Sequence, residues 1–268
     1  MPEPAIRLKQ VDKEFTHRGR SIVAIQGVDI DILPGRFVSI VGPSGCGKST
    51  TLSMIAGLAA PNAGQVFVEG QPVRGVQTNV GFIFQRDALL PWKTVLNNVT
   101  LGPIFRGWES GKTNAAALSW IQRVGLTGFE HHYPYQLSGG MRKRVALAQT
   151  MVYNPEIILM DEPFSALDVQ TRNMLENELL GIFQEEHKTV LFITHDLEEA
   201  IALSDEVIVM TARPGRVKAT YPIQLPRPRN VMEIRFDPHY IKLYEKIWND
   251  LRDEVHISFE RQSGKEAK

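Results

Sequence analysis

The chain has few of the features that mark secreted, membrane-spanning or nucleic-acid-binding proteins. It has one cysteine in 268 residues, which excludes an internal disulfide and suits a reducing compartment. Its 30 basic and 30 acidic residues give a formal net charge of +0. Bulk charge therefore offers no reason to expect a nucleic-acid partner, and we expect none.

Long apolar segments are also missing. No apolar run reaches the roughly 18 residues that a membrane-spanning helix needs. The N-terminal Met-Pro-Glu-Pro lacks the basic and apolar regions of a signal peptide. These absences predict a soluble cytoplasmic protein that reaches a membrane only through a partner.

The most informative segment is the glycine-rich stretch 42–50. It fits the phosphate-binding pattern G-x-x-x-x-G-K-[ST], in which Lys48 reaches the β- and γ-phosphates and the Ser49 hydroxyl can ligate Mg²⁺. The apolar run Phe37–Val41 predicts a buried strand before it, and Thr51–Leu58 can continue it as a helix, which is the context that the motif requires. The predicted nucleotide-binding residues of this loop are Gly42, Pro43, Ser44, Gly45, Cys46, Gly47, Lys48, Ser49 and Thr50.

The glycines of this loop have a physical role. Gly42, Gly45 and Gly47 can take positive φ and let the backbone amides close around an anion at the start of a helix. The alternative is a glycine-rich turn before an ordinary helix. Since Cys46 lies inside the loop, we also expect a bulky thiol reagent to block nucleotide binding.

Polar side chains follow two predicted buried strands. Gln85 follows Val80–Phe84, and its amide oxygen could ligate Mg²⁺ or hold a water molecule. Asp161 and Glu162 follow the apolar run at 157–160. Asp161 can hold Mg²⁺, and Glu162 can polarise an attacking water molecule. In each case the alternative is a strand that simply ends at a polar turn.

His195 follows a third buried strand, predicted at Val190–Thr194. At the end of a strand in a nucleotide site, a histidine can contact the γ-phosphate and the attacking water. A lone histidine is more often structural, so this position alone decides nothing.

The chain divides into segments of different character. Residues 6–41 predict short strands, and residues 86–154 predict an inserted helical subdomain within a main domain at 1–225. A C-terminal extension at 226–268 carries one amphipathic helix that opens at Asp237. The apolar stripe of the inserted segment is Ala115, Leu118, Ile121, Val124 and Leu126. The stripe of the C-terminal helix is Tyr240, Tyr244, Ile247, Trp248, Leu251 and Val255.

A second anion-binding site is predicted at 137–141, which reads Leu-Ser-Gly-Gly-Met. Ser138 is a plausible N-cap, and the two glycines expose amides at the start of a helix. The basic cluster at 142–144 follows, and we interpret it as a solvated helix face rather than a nucleic-acid contact.

Taken together, these motifs resemble the ATP-binding subunit of an ATP-binding cassette (ABC) transporter, in order and in spacing. The segment 137–140 is the most specific of them, because it separates this family from other P-loop NTPases. The resemblance covers roughly residues 5–225 and implies an α/β fold, with a P-loop NTPase core on a parallel sheet, an N-terminal antiparallel β subdomain and the helical insertion. Two positions depart from the common pattern, since Met141 replaces the usual Gln and Phe15 the frequent Tyr.

The resemblance also implies roles for the site residues. It implies that ATP and Mg²⁺ bind, with Phe15 stacked on adenine and Ser49, Gln85 and Asp161 near the metal. It implies an ATPase whose catalytic residues are Glu162 as general base, His195 as the γ-phosphate sensor, and Lys48. The residues implied to cap the ATP of a second subunit, most simply an identical copy, are Leu137, Ser138, Gly139, Gly140 and Asp168.

Finally, the resemblance implies partners and a location. An integral-membrane permease would be gripped by the helical subdomain and the segment after Gln85, at the cytoplasmic face of the inner membrane. The segments 89–95 and 210–215 are similar to those of importers for nitrate, sulfonate, taurine or related small molecules, which act with a periplasmic binding protein. The rival interpretations are a soluble cassette ATPase of nucleic-acid or ribosome metabolism, an exporter subunit, and a regulatory or binding module without turnover, which Lys48, Glu162 and His195 disfavour.

Overall fold

Two β-sheets carry the fold in the computed structural model, which describes residues 3–17 and 20–266. The strands are β1 (Ile6–His17), β2 (Arg20–Ile32), β3 (Phe37–Val41), β4 (Ala63–Val68), β5 (Gln71–Pro72), β6 (Val80–Ile83), β7 (Ile157–Asp161), β8 (Thr189–Ile193), β9 (Glu206–Met210) and β10 (Val217–Pro222). The helices are α1 (Lys48–Ile55), α2 (Val95–Val99), α3 (Leu101–Phe105), α4 (Ser110–Arg123), α5 (Gly139–Met151), α6 (Val169–Glu186), α7 (Leu197–Leu203), α8 (Val231–Ile234) and α9 (Pro238–Glu266).

The first sheet is antiparallel, with strand order β2-β1-β4-β5. Val28, Ile30 and Ile32 of β2 are buried, as their alternation with aspartates predicts. The prediction of short strands is wrong for β1 and β2, which have 12 and 13 residues. Register shifts along this pair interrupt the alternation, which explains why the sequence pattern suggests shorter strands.

The second sheet positions the candidate site. Its strand order is β10-β9-β3-β8-β7-β6, and all neighbours are parallel except β10, which runs antiparallel to β9. The carboxyl ends of the five parallel strands therefore lie at one edge, where ligands bind in such sheets. This arrangement confirms the predicted α/β fold with a P-loop NTPase core. Strand β10 was not predicted, because its mixed polar sequence is only partly buried.

Helices occupy the segment 86–154, as predicted, but the predicted apolar stripe is partly wrong. On α4 the buried residues are Thr113, Ala117 and Ile121, whereas Ala115 and Leu118 are exposed. Since the buried positions are spaced by four residues, the stripe inferred from Ala115 starts on the wrong face. Helix α1 also ends at Ile55 rather than continuing to residue 58.

The C-terminal extension packs on the main domain through α9. The Asp237 carboxylate accepts the His239 N–H at 2.7 Å, which confirms the predicted helix start. Tyr240, Ile247 and Leu251 are buried against the core that includes α7 and β9. Within the described part of the chain, no helix is both long and apolar enough to cross a bilayer.

Candidate functional site

The glycine-rich loop after β3 is packed too tightly for side chains at two of its glycines. Gly47 has φ 103°, and a Cβ there would lie 2.6 Å from Ile25 Cγ1. Gly42 does not have the positive φ that the sequence led us to expect. Glycine is instead required there because a Cβ would lie only 3.1 Å from the Met210 carbonyl oxygen. The loop thus has the close backbone packing that a phosphate cradle requires.

Lys48 lies over this loop as a buried cation. Its Nζ donates to the carbonyl oxygens of Gly42 at 2.9 Å and Pro43 at 3.1 Å, and the residue is only 6% exposed. Both hydrogen-bond acceptors are neutral carbonyls, while the Asp161 carboxylate interacts with Lys48 through its charge without a direct ion pair among the described residues. A buried ammonium group without a counter-ion in direct contact is costly. The loop therefore fits a bound phosphate, whose negative charge would compensate Lys48.

Ser49 and Asp161 form an oxygen pair beside the loop. The Ser49 hydroxyl donates to Asp161 Oδ1 at 2.9 Å. Burial raises the pKa of Asp161, and the hydrogen bond from Ser49 opposes that shift. No cluster of three or more His, Cys, Asp or Glu suited to a metal occurs among the described residues. Mg²⁺ usually takes one or two protein carboxylates and completes its shell with water and phosphate oxygens, so the Ser49–Asp161 pair fits this ion.

Glu162 lies at the centre of the polar contacts from the neighbouring strands. Its Oε2 accepts a hydrogen bond from Gln85 Nε2 at 3.3 Å and lies 3.1 Å from His195 Nδ1. Its backbone has φ 43°, a region unusual for a residue with a side chain, and its N–H donates to the Ile193 carbonyl at 2.9 Å. The structure therefore brings together the three side chains that follow β6, β7 and β8.

The segment after Gln85 is fixed to α5 by a charge cluster that the sequence did not predict. Lys143 donates to the Gln85 carbonyl at 2.7 Å and pairs with Asp87 at 3.0 Å. Arg142 also binds Asp87, and it donates to the Leu137 carbonyl at 2.8 Å. The interpretation of the basic cluster as a solvated face is wrong, because Lys143 is 7% exposed. Asp87 has no motif of its own, and only the fold shows its partners.

A second group of predicted residues lies at the adjacent starts of α5 and α6. Ser138 accepts the Met141 N–H at 3.3 Å, which confirms it as an N-cap. Asp168 accepts the Thr171 N–H at 3.0 Å, and this bond holds the pKa of Asp168 below its usual value. A Cβ at Gly140 would lie 2.6 Å from Thr171 Cγ2, so the two helix starts touch. No recorded hydrogen bond within 3–17 or 20–266 joins Ser138 or Asp168 to the glycine-rich loop.

Phe15 and Cys46 have opposite environments. Phe15 lies on β1 and is 47% exposed, and Lys13 Nζ lies over its ring, 5.1 Å from the centroid. Stacking of this partly exposed residue on a base stays a prediction. Cys46 is only 1% exposed, and burial raises the pKa of its thiol. Ready attack by a bulky thiol reagent, as expected from the sequence, does not fit this environment.

Comparisons with known proteins agree with this geometry. The model of the family described as ABC transporter matches residues 25–165. An uncharacterized ABC transporter ATP-binding protein of Methanocaldococcus jannaschii is 47% identical over 250 residues, which are 93% of this chain and 92% of the relative. The taurine import ATP-binding protein TauB of Yersinia pestis is 44% identical over 194 residues, which are 72% of this chain and 76% of TauB.

Solved structures give the same result. A dimeric bacterial ABC transporter cassette superposes with a TM-score of 0.74 at 34% identity, covering 82% of this chain and all of the cassette. The same cassette is also known in a post-hydrolysis state bound to ADP and Pi, with the same TM-score of 0.74.

Proposed function

This chain belongs to the ABC transporter family as an ATP-binding subunit with ATPase activity, and we propose that it energises uptake of a small anion through a separate permease. The observation that supports ATP hydrolysis at this site is the meeting of Gln85, Glu162 and His195 next to the Ser49–Asp161 pair of the phosphate loop. The importer assignment, for nitrate, sulfonate, taurine or a similar anion, is supported by the similarity to TauB and by the segments 89–95 and 210–215.

The residues around the loop would divide the work of ATP hydrolysis. The amides of 42–50 and the Lys48 ammonium would hold the β- and γ-phosphates. Ser49, Asp161 and the Gln85 amide would hold Mg²⁺, which neutralises phosphate charge when bound. Further ATP contacts would come from Thr50 and from the partly exposed Phe15, whose ring would stack on adenine.

Glu162 is suited to act as the general base. Its side chain is 20% exposed, so water can reach it, and a carboxylate can accept a proton from an attacking water molecule. His195 lies beside the same carboxylate oxygen, where it can orient that water and contact the γ-phosphate. Gln85 contacts Glu162 from β6, on the other side of β7 from His195. A displacement of the segment after Gln85 would therefore move a side chain that is hydrogen-bonded to the base.

We also propose a homodimer with two shared ATP sites. The helix start at Leu137, Ser138, Gly139 and Gly140 presents amides suited to a phosphate, and Asp168 lies beside it. Neither group is recorded in contact with its own phosphate loop within the described residues, which is the arrangement expected if each serves the ATP of the other subunit. The dimeric form of the related cassette supports this assembly.

The permease would bind on the helical side of the subunit. Trp92 and Phe105 of the segment 86–154 are 70% and 83% exposed, and large exposed apolar residues suit a protein interface. Such a contact would hold the subunit peripherally at the cytoplasmic face of the inner membrane, where a periplasmic binding protein would act on it only through the permease.

The test is the oligomeric state of Glu162→Gln, measured by light scattering with and without Mg-ATP. We expect a monomer without nucleotide and a dimer with Mg-ATP, because the base is lost while the phosphate cradle remains. The control is Glu162→Gln combined with Lys48→Met, which should stay monomeric because it cannot hold the phosphates. A wild-type hydrolysis rate for Glu162→Gln would exclude Glu162 as the base.

The transport role needs a separate measurement. Co-expression with a candidate permease should yield a membrane-bound complex whose ATPase rate rises when the loaded binding protein is added. A subunit that instead stays on a nucleic-acid column at physiological salt would contradict the importer assignment.

A further inference from the structure

The loop between β9 and β10, residues 211–216, packs directly against the phosphate loop. Gly215 donates its N–H to the Ala24 carbonyl at 2.8 Å, and its own carbonyl accepts the Gln26 N–H at 2.9 Å. A Cβ at Gly215 would lie 1.9 Å from the Cys46 carbonyl oxygen. The backbones of the two loops are therefore in contact, without space for a side chain between them.

Arg213 adds a second contact to the same place. Its Nε donates to the Gly45 carbonyl at 3.4 Å, and its side chain is exposed. Gly45 and Cys46 both belong to the motif that closes around phosphate. A displacement of 211–216 would therefore move amides that must point at the nucleotide.

Helix α9 holds the other side of this loop through Glu254. One carboxylate oxygen accepts the Ala212 N–H at 2.8 Å, and the other lies 2.9 Å from Lys218 Nζ. Glu254 is 7% exposed and Ala212 is 5% exposed. A buried carboxylate is tolerated only when it is paired and hydrogen-bonded, and here both oxygens are used. Arg261 of the same helix donates to the Arg213 carbonyl.

These contacts form a continuous connection from the C-terminal extension to the nucleotide site. We propose that Glu254 is a positioning residue for ATP binding, which acts through residues 211–216 on the backbone of the phosphate loop. This inference rests on the proposed function only in taking the loop 42–50 as the ATP site. It gives α9 a role in nucleotide affinity, although no residue of α9 belongs to the predicted nucleotide contacts.

The expected effect is selective. Asp161, Glu162 and His195 lie at the ends of other strands, and their hydrogen bonds among the described residues do not involve residues 211–216. Misplaced loop amides should therefore weaken ATP binding, while the chemical step at saturating ATP stays nearly unchanged. A merely structural role would instead lower the amount of folded protein and leave the KM of the folded fraction unaltered.

The experiment uses the full chain and three variants. Glu254→Ala removes the acceptor of the Ala212 N–H, Glu254→Gln keeps an acceptor oxygen, and Asp253→Ala removes an exposed carboxylate beside it. Binding of trinitrophenyl-ATP gives Kd, and ATPase assays give KM and kcat. We expect Glu254→Ala to raise Kd and KM about fivefold to tenfold with kcat within about twofold of wild type. Glu254→Gln should recover most of the affinity, and Asp253→Ala should not change it.

Unchanged Kd and KM in a folded Glu254→Ala protein would overturn the inference. If that variant does not fold, Arg213→Ala decides instead, because its exposed side chain can be removed without opening the core; an unaltered Kd there would also reject the connection. Wild-type protein that fails to bind trinitrophenyl-ATP would overturn the nucleotide site itself, and the two failures are thereby distinguished.

Discussion

The molecule has two regions suited to phosphate, and they differ in how complete they are. The phosphate-loop site consists of residues 42–50 with Gln85, Asp161, Glu162 and His195, and its side chains contact one another. The Ser138 surface consists of residues 137–140 with Asp168, where, among the described residues, the two capping side chains accept hydrogen bonds from the starts of their own helices only.

This difference follows from the positions of the two regions in the fold. The phosphate-loop site draws on four neighbouring parallel strands, whose ends converge. The Ser138 surface draws on two helix starts, where the exposed Ser138 hydroxyl and the backbone amides are the groups suited to a phosphate. In the proposed dimer, one chain would therefore supply both a nucleotide site and a surface that completes the site of its partner.

The largest expected effect comes from placing a charge on the Ser138 surface. Ser138→Asp keeps a good N-cap but puts a carboxylate where the γ-phosphate of the partner subunit should bind. We expect kcat to fall about a hundredfold because the anion contact is replaced by repulsion. Binding of ATP to the monomer should not change, since the phosphate-loop site is intact. ATPase assays and nucleotide titrations at low protein concentration measure both.

The matched control is Ser138→Asn, which also caps the helix but adds no charge. It should retain much more activity than Ser138→Asp. Equal losses in the two variants would show that the hydroxyl itself matters rather than the charge. A fully active Ser138→Asp would remove this surface from the site.

The two regions also differed in how far the sequence predicted them. The strand-end residues Gln85, Asp161, Glu162 and His195 could be placed because each follows an apolar run, and a parallel sheet gathers strand ends at one edge. Ser138 could be predicted as a cap from its position before two glycines. Their mutual contacts, such as the central position of Glu162, depend on strand order, which no local pattern contains.

Contacts between distant segments were the part that the sequence could not supply. Asp87 pairs with Arg142 and Lys143 across 55 residues or more, and Glu254 binds the backbone of Ala212. No rule of sequence spacing predicts which residues form such long-range pairs. The buried face of α4 and the length of β1 were mispredicted for a related reason, because packing partners and register shifts decide which residues are covered.

A second prediction compares the accessibility of the two regions. Cys46 is a buried residue of the phosphate loop, whereas Ser138 is exposed. Burial also raises the pKa of the Cys46 thiol, which reduces the reactive thiolate at neutral pH. We expect Cys46 to react with iodoacetamide at least about tenfold more slowly than the thiol introduced by Ser138→Cys, because reaction at Cys46 requires local opening. Mass spectrometry of peptides from the Ser138→Cys protein measures both rates at once. Equal rates would contradict the burial of Cys46.

The two regions are joined by Arg172, and a buried carboxylate pair lies behind it. Arg172 donates to the Leu167 carbonyl at 3.2 Å, next to Asp168, and pairs with Asp196 at 3.2 Å, next to His195. Its Nε also lies 3.6 Å from Glu199. Glu199 is 4% exposed and accepts the Thr194 hydroxyl at 2.5 Å.

Glu176 is the other carboxyl group of the buried pair, next to Glu199, and it is fully buried. Neither of its carboxylate oxygens has a hydrogen-bond donor among the described residues. Burial, and then the charge of Glu199, raise the pKa of Glu176 to about 9, while Arg235 opposes the shift. A proton held by Glu176 at neutral pH leaves one negative charge there rather than two, which explains how two carboxyl groups coexist.

The smallest expected effect on activity comes from removing that proton site with Glu176→Gln. Between pH 4.5, the ordinary pKa of a glutamate, and pH about 9, Glu176 is protonated in the folded wild type but ionised in the unfolded chain. The free energy of unfolding therefore falls as the pH rises through this window, by up to about 1.4 kcal/mol per pH unit for one proton. The Gln side chain has no ionisable proton and stays neutral at every pH. We expect its unfolding free energy, from urea titrations at pH 5.5, 7.0 and 8.5, to decline less steeply than that of the wild type, with kcat within about twofold. The control is Glu260→Gln at an exposed position, which should keep the wild-type dependence of unfolding free energy on pH. The same dependence in Glu176→Gln and wild type would mean that the buried pair of Glu176 and Glu199 holds no proton at neutral pH.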